Sequence, residues 1–131
     1  MTLEYSDNLR PAGRFEELCG KLARYMTGLE VDGQRVFPPG GVRVRAIACE
    51  EYCIADGSVP DAGFVHAVLK IGAGRSEAAK RATCTGLFDI MKAHFAAQYA
   101  ERGLALSLEF IEFSESGTLK HNNLHSRFKK T

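Results

Sequence analysis

Twice in this chain, a run with period-two apolar spacing gives way to helical spacing and then returns to period two. That order constrains the fold more than any other feature, because strand, helix and strand in succession close as a crossover unit. Alternation over 2–5, stopped by Ser6-Asp7-Asn8, reads as a first strand. Phe15, Leu18, Cys19, Leu22, Ala23 and Met26 then keep helical spacing and predict a helix over 13–28, with Gly28 as its C-terminal cap. Residues 30–40 read as loop, since Pro38-Pro39-Gly40-Gly41 forbids a regular element. A second strand follows over 42–49, with Val42, Val44, Ala46 and Ala48 alternating against Arg43, Arg45 and Ile47.

The second half repeats the order. Residues 56–62 are turn material, and 63–71 is apolar on both faces, as a central strand should be. Ser76 stands as the N-cap of a long helix reaching residue 98, with Ala79, Thr83, Leu87, Ile90, Met91, His94 and Phe95 as its stripe. Gly103 breaks it, and alternation over 104–111 gives a fourth strand. The expectation is one domain over 1–131, with β-α-β units at 1–62 and 63–113 and a polar, basic tail at 114–131. The fold class is α/β (an α+β sandwich), a four-stranded sheet with two helices on one face if both crossovers are right-handed. The sheet's other face mixes small apolar and polar residues, which predicts burial against copies of the chain, a homo-oligomer. The tail is expected to be ordered by docking on a neighbouring subunit.

Bulk properties exclude several function classes. A net charge of +1 provides no basic face for nucleic acid. No run approaches the ~18 apolar residues of a membrane span, and no charged-then-apolar leader opens the chain, so a cytoplasmic protein is expected. Cys19, Cys49, Cys53 and Cys84 fit no zinc spacing and read as buried or half-buried thiols in a reducing compartment, with no metal. His66 and His94 fall in strand and helix stripes and read as satisfied core histidines.

The chemistry concentrates in two motifs. In Lys70-Ile71-Gly72-Ala73-Gly74-Arg75-Ser76-Glu77, a strand ends in two glycines and an arginine beside a helix start. The glycines lack a full phosphate-loop pattern and read as turn conformers. In Gly41-Val42-Arg43-Val44-Arg45, two guanidinium groups share one strand face, about 7 Å apart. An arginine fork grips a carboxylate through two parallel bonds, so Arg43, Arg75 and Arg45 point to a pocket for a carboxylated small molecule.

With Glu4-Tyr5-Ser6-Asp7-Asn8-Leu9, Ala55-Asp56-Gly57, Phe64-Val65-His66, His94-Phe95-Ala96-Ala97, Leu104-Ala105-Leu106-Ser107 and Asn122-Asn123-Leu124-His125, these motifs run nearly end to end. In them the chain resembles the 5-carboxymethyl-2-hydroxymuconate isomerases of the tautomerase superfamily. The resemblance implies a tautomerase-like fold assembled as a homotrimer. It also implies a cofactor-free enol-to-ketone isomerisation in homoprotocatechuate degradation, on a muconate-type substrate carrying several carboxylates. Arg43 and Arg75 match the family's carboxylate-handling arginines. Arg45 is left open between supporting the site and an ion pair at a subunit interface. The alternative is a non-catalytic relative that binds a small polycarboxylate.

The family's base is an amino-terminal proline. Its amine is suited to the task by an ordinary pKa of about 7.7–8.0, which burial and nearby guanidinium groups lower further. Aligned on Glu4-Tyr5-Ser6-Asp7-Asn8, this sequence has neither that proline nor the next residue, and Met1 occupies the position after them. At about 3.3 Å per residue the amine is displaced by ~6–7 Å. A start set two residues too late and a loss of the base are the two readings, the first preferred. On either, a chain beginning at Met1 is expected to fold and to be poorly active.

Overall fold

The first strand in this sequence lies inside the sheet, not at its edge. In the computed structural model, which describes residues 1–128, β1 (Thr2–Ser6) sits between β4 (Arg45–Cys49) and β5 (Gly63–Gly72). With β6 (Leu104–Phe113) the four strands run in the order β4-β1-β5-β6. β1 is parallel to β4 and antiparallel to β5, and β5 is parallel to β6. Of the predicted tail, 129–131 lie outside the described residues.

The helices are α1 (Arg10–Gly13), α2 (Phe15–Gly28), α3 (Glu77–His94), α4 (Ala96–Glu101) and α5 (Leu124–Phe128). Alternation decides which sheet face they cover. Leu3 and Tyr5 of β1 and Val65, Ala67, Leu69 and Ile71 of β5 are at most 6% exposed, and they share one core with Leu18, Leu22, Leu87 and Met91 of α2 and α3. Each fully buried aliphatic or aromatic side chain contributes roughly 1.5–3 kcal/mol. Tyr5 stacks on Phe15 at 3.6 Å between ring centroids, and Phe15 meets Phe95 at 5.6 Å. Both long helices therefore lie on one face, and the two β-α-β units share one sheet. No helix among the described residues is long and apolar enough to cross a membrane.

Several expectations need correction. The helix expected over 13–28 begins at Phe15, because Arg14 takes a left-handed conformation (φ 47°) that separates α1 from α2. Gly28 is the last helical residue, and the positive-φ glycines are Gly33, Gly57 and Gly74. The loop over 30–40 contains a small hairpin, β2 (Glu30–Val31) and β3 (Gln34–Arg35), plus a 3-10 turn at Pro39–Gly41. Asp32 and Gly33 both have positive φ at its tip, the conformation that Asp-Gly favours between hairpin strands. Paired strand begins only at Arg45, opposite Thr2.

The second long helix is broken at Phe95 (φ −102°, ψ 16°), short of residue 98, and α4 follows it. His94 and Phe95 are both buried there, 5% and 0% exposed. Ser76 caps α3 as expected, its Oγ accepting from the Ala79 N–H at 3.1 Å. Cys53 is exposed, unlike the half-buried Cys19, Cys49 and Cys84. His66 is not a core residue: it lies on the open sheet face, Nδ1 2.6 Å from Ser107 Oγ and Nε2 3.5 Å from Glu109.

Candidate active-site cleft

At the end of the sheet where β1 begins and β5 finishes lies a cleft of about 1090 Å³. It gathers Met1, Arg43, Arg45 and Arg75, together with the apolar Phe37, Val42 and Ile71. All three arginines singled out by sequence line it. The tail, expected to dock on a neighbouring subunit, also lines this cleft of its own chain with residues 118–125.

Met1 is fixed through both its backbone polar groups by the segment that enters β4. Its amine donates to the Arg43 carbonyl at 2.8 Å, and its own carbonyl accepts from the Arg45 N–H at 3.1 Å. Burial lowers the pKa of this amine first, then the nearby Arg45 and Arg43 charges, with Cys19 opposing. The sequence argument named the same two causes. Because β1 pairs Thr2 with Val68, residues added ahead of Met1 in the same register would run beside Lys70 and then Ile71 into the cleft.

Arg75 is more constrained than a free fork. Its Nε donates to the Val36 carbonyl at 3.0 Å and its Nη1 to the Gly72 carbonyl at 3.1 Å. The guanidinium carbon lies 4.7 Å from the centre of the Phe37 ring. The bonds to Val36 and Gly72 use two of the five guanidinium N–H donors. In the turn before Arg75, Gly74 has φ 118°, a conformation that side-chain-bearing residues rarely adopt. The hairpin and the Val36-Phe37 segment after it are what hold this arginine, and the periodicity gave no sign of them. A lone Phe inside a Pro- and Gly-rich stretch was the available signal.

The tail is anchored at two places. After β6, Ser114 Oγ accepts from the Gly117 N–H at 3.2 Å and the Thr118 hydroxyl donates to the Ser114 carbonyl at 3.1 Å. Further on, Asn122 Nδ2 donates to the Gly40 carbonyl at 3.0 Å, and α5 packs on the Pro39–Gly41 turn. Among the described residues no group of three or more His, Cys, Asp or Glu could hold a metal ion. Cationic groups spaced around a cleft, at the mouth of an apolar sheet end, can orient an anionic molecule and stabilise charge that develops on it.

Two β-α-β units around one mixed sheet, with an arginine-lined cleft at the start of the first strand, define a tautomerase-type α+β protein. The fold alone is shared with fused 4-OT, solved as a wild-type asymmetric trimer, at a TM-score of 0.51 and 20% identity, covering 98% of this chain and 99% of that one. A family model for CHMI, 5-carboxymethyl-2-hydroxymuconate isomerase, matches residues 1–128, and the chain belongs to that family. It is 39% identical over 127 residues to the 5-carboxymethyl-2-hydroxymuconate Delta-isomerase of Escherichia coli, covering 97% of this chain and 96% of the relative. The crystal structure of a 5-carboxymethyl-2-hydroxymuconate isomerase from Deinococcus radiodurans R1 is similar at a TM-score of 0.90 and 49% identity, covering 98% of this chain and 92% of that one.

Proposed function

We propose that this chain is an isomerase that converts the enol of 5-carboxymethyl-2-hydroxymuconate into its ketone, a step in homoprotocatechuate degradation. Family membership supports the reaction, and the convergence of Arg43 and Arg75 on one cleft beside the start of β1 carries the assignment of residues. The 2-hydroxyl loses its proton, the resulting negative charge is shared between the 2-oxygen and carbons of the conjugated chain, and a proton is returned to one of those carbons as the 2-oxygen becomes the carbonyl oxygen. Nothing is oxidised or reduced overall, so no redox cofactor is required. Arg43 and Arg75 grip carboxylates and stabilise the dienolate, where one aimed donor is typically worth ~3 kcal/mol. Arg45, which lines the same cleft, adds positive charge there.

In a chain extended by Pro-His ahead of Met1, the β1–β5 register would carry the proline alongside Ile71, where its amine is proposed as the base. A positioned base of this kind contributes roughly 10²–10⁴-fold. The protein is proposed to act as a cytoplasmic homotrimer. Four unpaired thiols suit a reducing compartment. The sheet face without helices carries Ile47, 49% exposed, beside Phe64, Val68 and Ile111, which a neighbouring copy would cover. A non-catalytic polycarboxylate binder is not favoured, given the isomerase relatives.

The test is ketonisation of 5-carboxymethyl-2-hydroxymuconate, followed by ultraviolet absorbance, for the chain from Met1 and for one preceded by Pro-His. Saturable turnover that rises in the extended chain and collapses with Arg75→Ala supports the reading. Turnover in neither chain overturns it, and equal rates in both remove the proline from the mechanism.

A further inference from the structure

We infer that Lys120, on the tail wall of the cleft, is the specificity-determining cation for the carboxymethyl group. The inference rests on the proposed substrate, which has three carboxylates: two at the ends of a planar conjugated chain and one on a freely rotating methylene. Rigid arginine forks suit the planar pair. A lysine ammonium, a compact charge whose three donors rotate, suits an anion that swings.

The tail places such a group beside Arg75. The Lys120 ammonium lies 5.4 Å from the centre of the Phe113 ring. Phe113 is the β6 partner of Gly72, and the Gly72 carbonyl holds the Arg75 guanidinium. Lys120 and Arg75 therefore both reach the Gly72–Phe113 end of the sheet and line the one cleft. The tail anchors at Ser114 and at Asn122 bracket Lys120 and limit its wandering. Its ammonium pairs with Glu115 Oε2 at 3.2 Å, and the two side chains are 54% and 64% exposed. Ion pairs so exposed are weak, and a substrate carboxylate can replace this one.

Lys70 is the rival, since it also lines the cleft. It lies in the row of β5 opposite Ile111, one residue from the face that packs on the helices.

The experiment is independent of turnover. Adipate, with two carboxylates, and 2-(carboxymethyl)adipate, with three, are titrated calorimetrically into the full chain, Lys120→Met, Lys120→Arg and Lys70→Met. Wild type is expected to prefer the tricarboxylate. Lys120→Met should weaken that ligand about ten-fold or more, the scale of a charged hydrogen bond, while leaving adipate affinity unchanged, and Lys120→Arg should restore most of the loss. Equal weakening of both ligands, an unchanged preference in Lys120→Met, or a preference lost only in Lys70→Met overturns the assignment. Absence of ketonisation would instead refute the isomerase reading and leave this comparison intact.

Discussion

Replacing Gly86 by alanine should destabilise the protein, although the same change in an open helix would stabilise it. Gly86 lies inside α3, where alanine is preferred by about 0.8–1.0 kcal/mol. A Cβ there would fall within the ring of Tyr25, which crosses from α2 and donates its hydroxyl to the Ala82 carbonyl at 2.8 Å. The ring must move, which costs about 1–3 kcal/mol in forced repacking. Its hydrogen bond contributes a further ~0.5–1.5 kcal/mol. The balance is a net loss of roughly 1–3 kcal/mol. In a Tyr25→Ala background the obstacle is gone, and Gly86→Ala should gain roughly 1 kcal/mol. The sign therefore reverses, and the cycle reads a coupling of about 2–4 kcal/mol. Urea unfolding of the four proteins at one fixed concentration measures this, with the concentration matched because self-association would shift the midpoint. A stabilising Gly86→Ala in both backgrounds would show that Tyr25 does not occupy the space and that the α2–α3 contact is drawn wrongly.

Three further outcomes are expected. Arg75→Lys should lower kcat/KM about 100-fold, because it loses the fork together with the bonds to Val36 and Gly72; a loss under three-fold would remove Arg75 from the site. Burial lowers the His94 pKa, with Lys21 and Arg14 adding to the shift and the Gly13 carbonyl and Glu17 opposing it. The folded state thus binds its proton less readily than the unfolded chain, so this contribution is intact above about pH 6.5 and fades as pH falls through the folded-state value. Unfolding midpoints between pH 7.5 and 5.5 should show that fall, and His94→Gln should flatten it. Finally, Gly40→Ala would set a Cβ 2.7 Å from the His125 backbone nitrogen; trypsin should then cut at Lys120 sooner than in wild type, and an unchanged digestion rate would count against the clasp.

Legibility differed from element to element for physical reasons. β5 was plain because both its neighbours and the helix layer demand apolar residues, and β6 was plain because its alternation is strict. The Arg75 turn was legible because two glycines, an arginine and a capping serine each have a local role. The break at Phe95 was hidden, since His94 and Phe95 fit the helical stripe equally well and only the tertiary contacts to Gly13 and Phe15 show the stop. The hairpin at Asp32-Gly33 was masked by the prolines after it, although Asp-Gly is itself a turn signal. For the cleft, the arginines announced themselves by type and spacing. Phe37 and the tail did not, because what they hold is more than 35 residues away in sequence.

The inner position of β1 has a consequence for how the molecule is made. A ribosome delivers this strand ahead of both its flanking partners, one ending at Cys49 and the other at Gly72. One edge of the newborn segment must wait unpaired until Cys49 has emerged, and the other until Gly72 has. Whatever shields it in that interval, chaperone or ribosome surface, guards the same stretch that later opens onto the arginines.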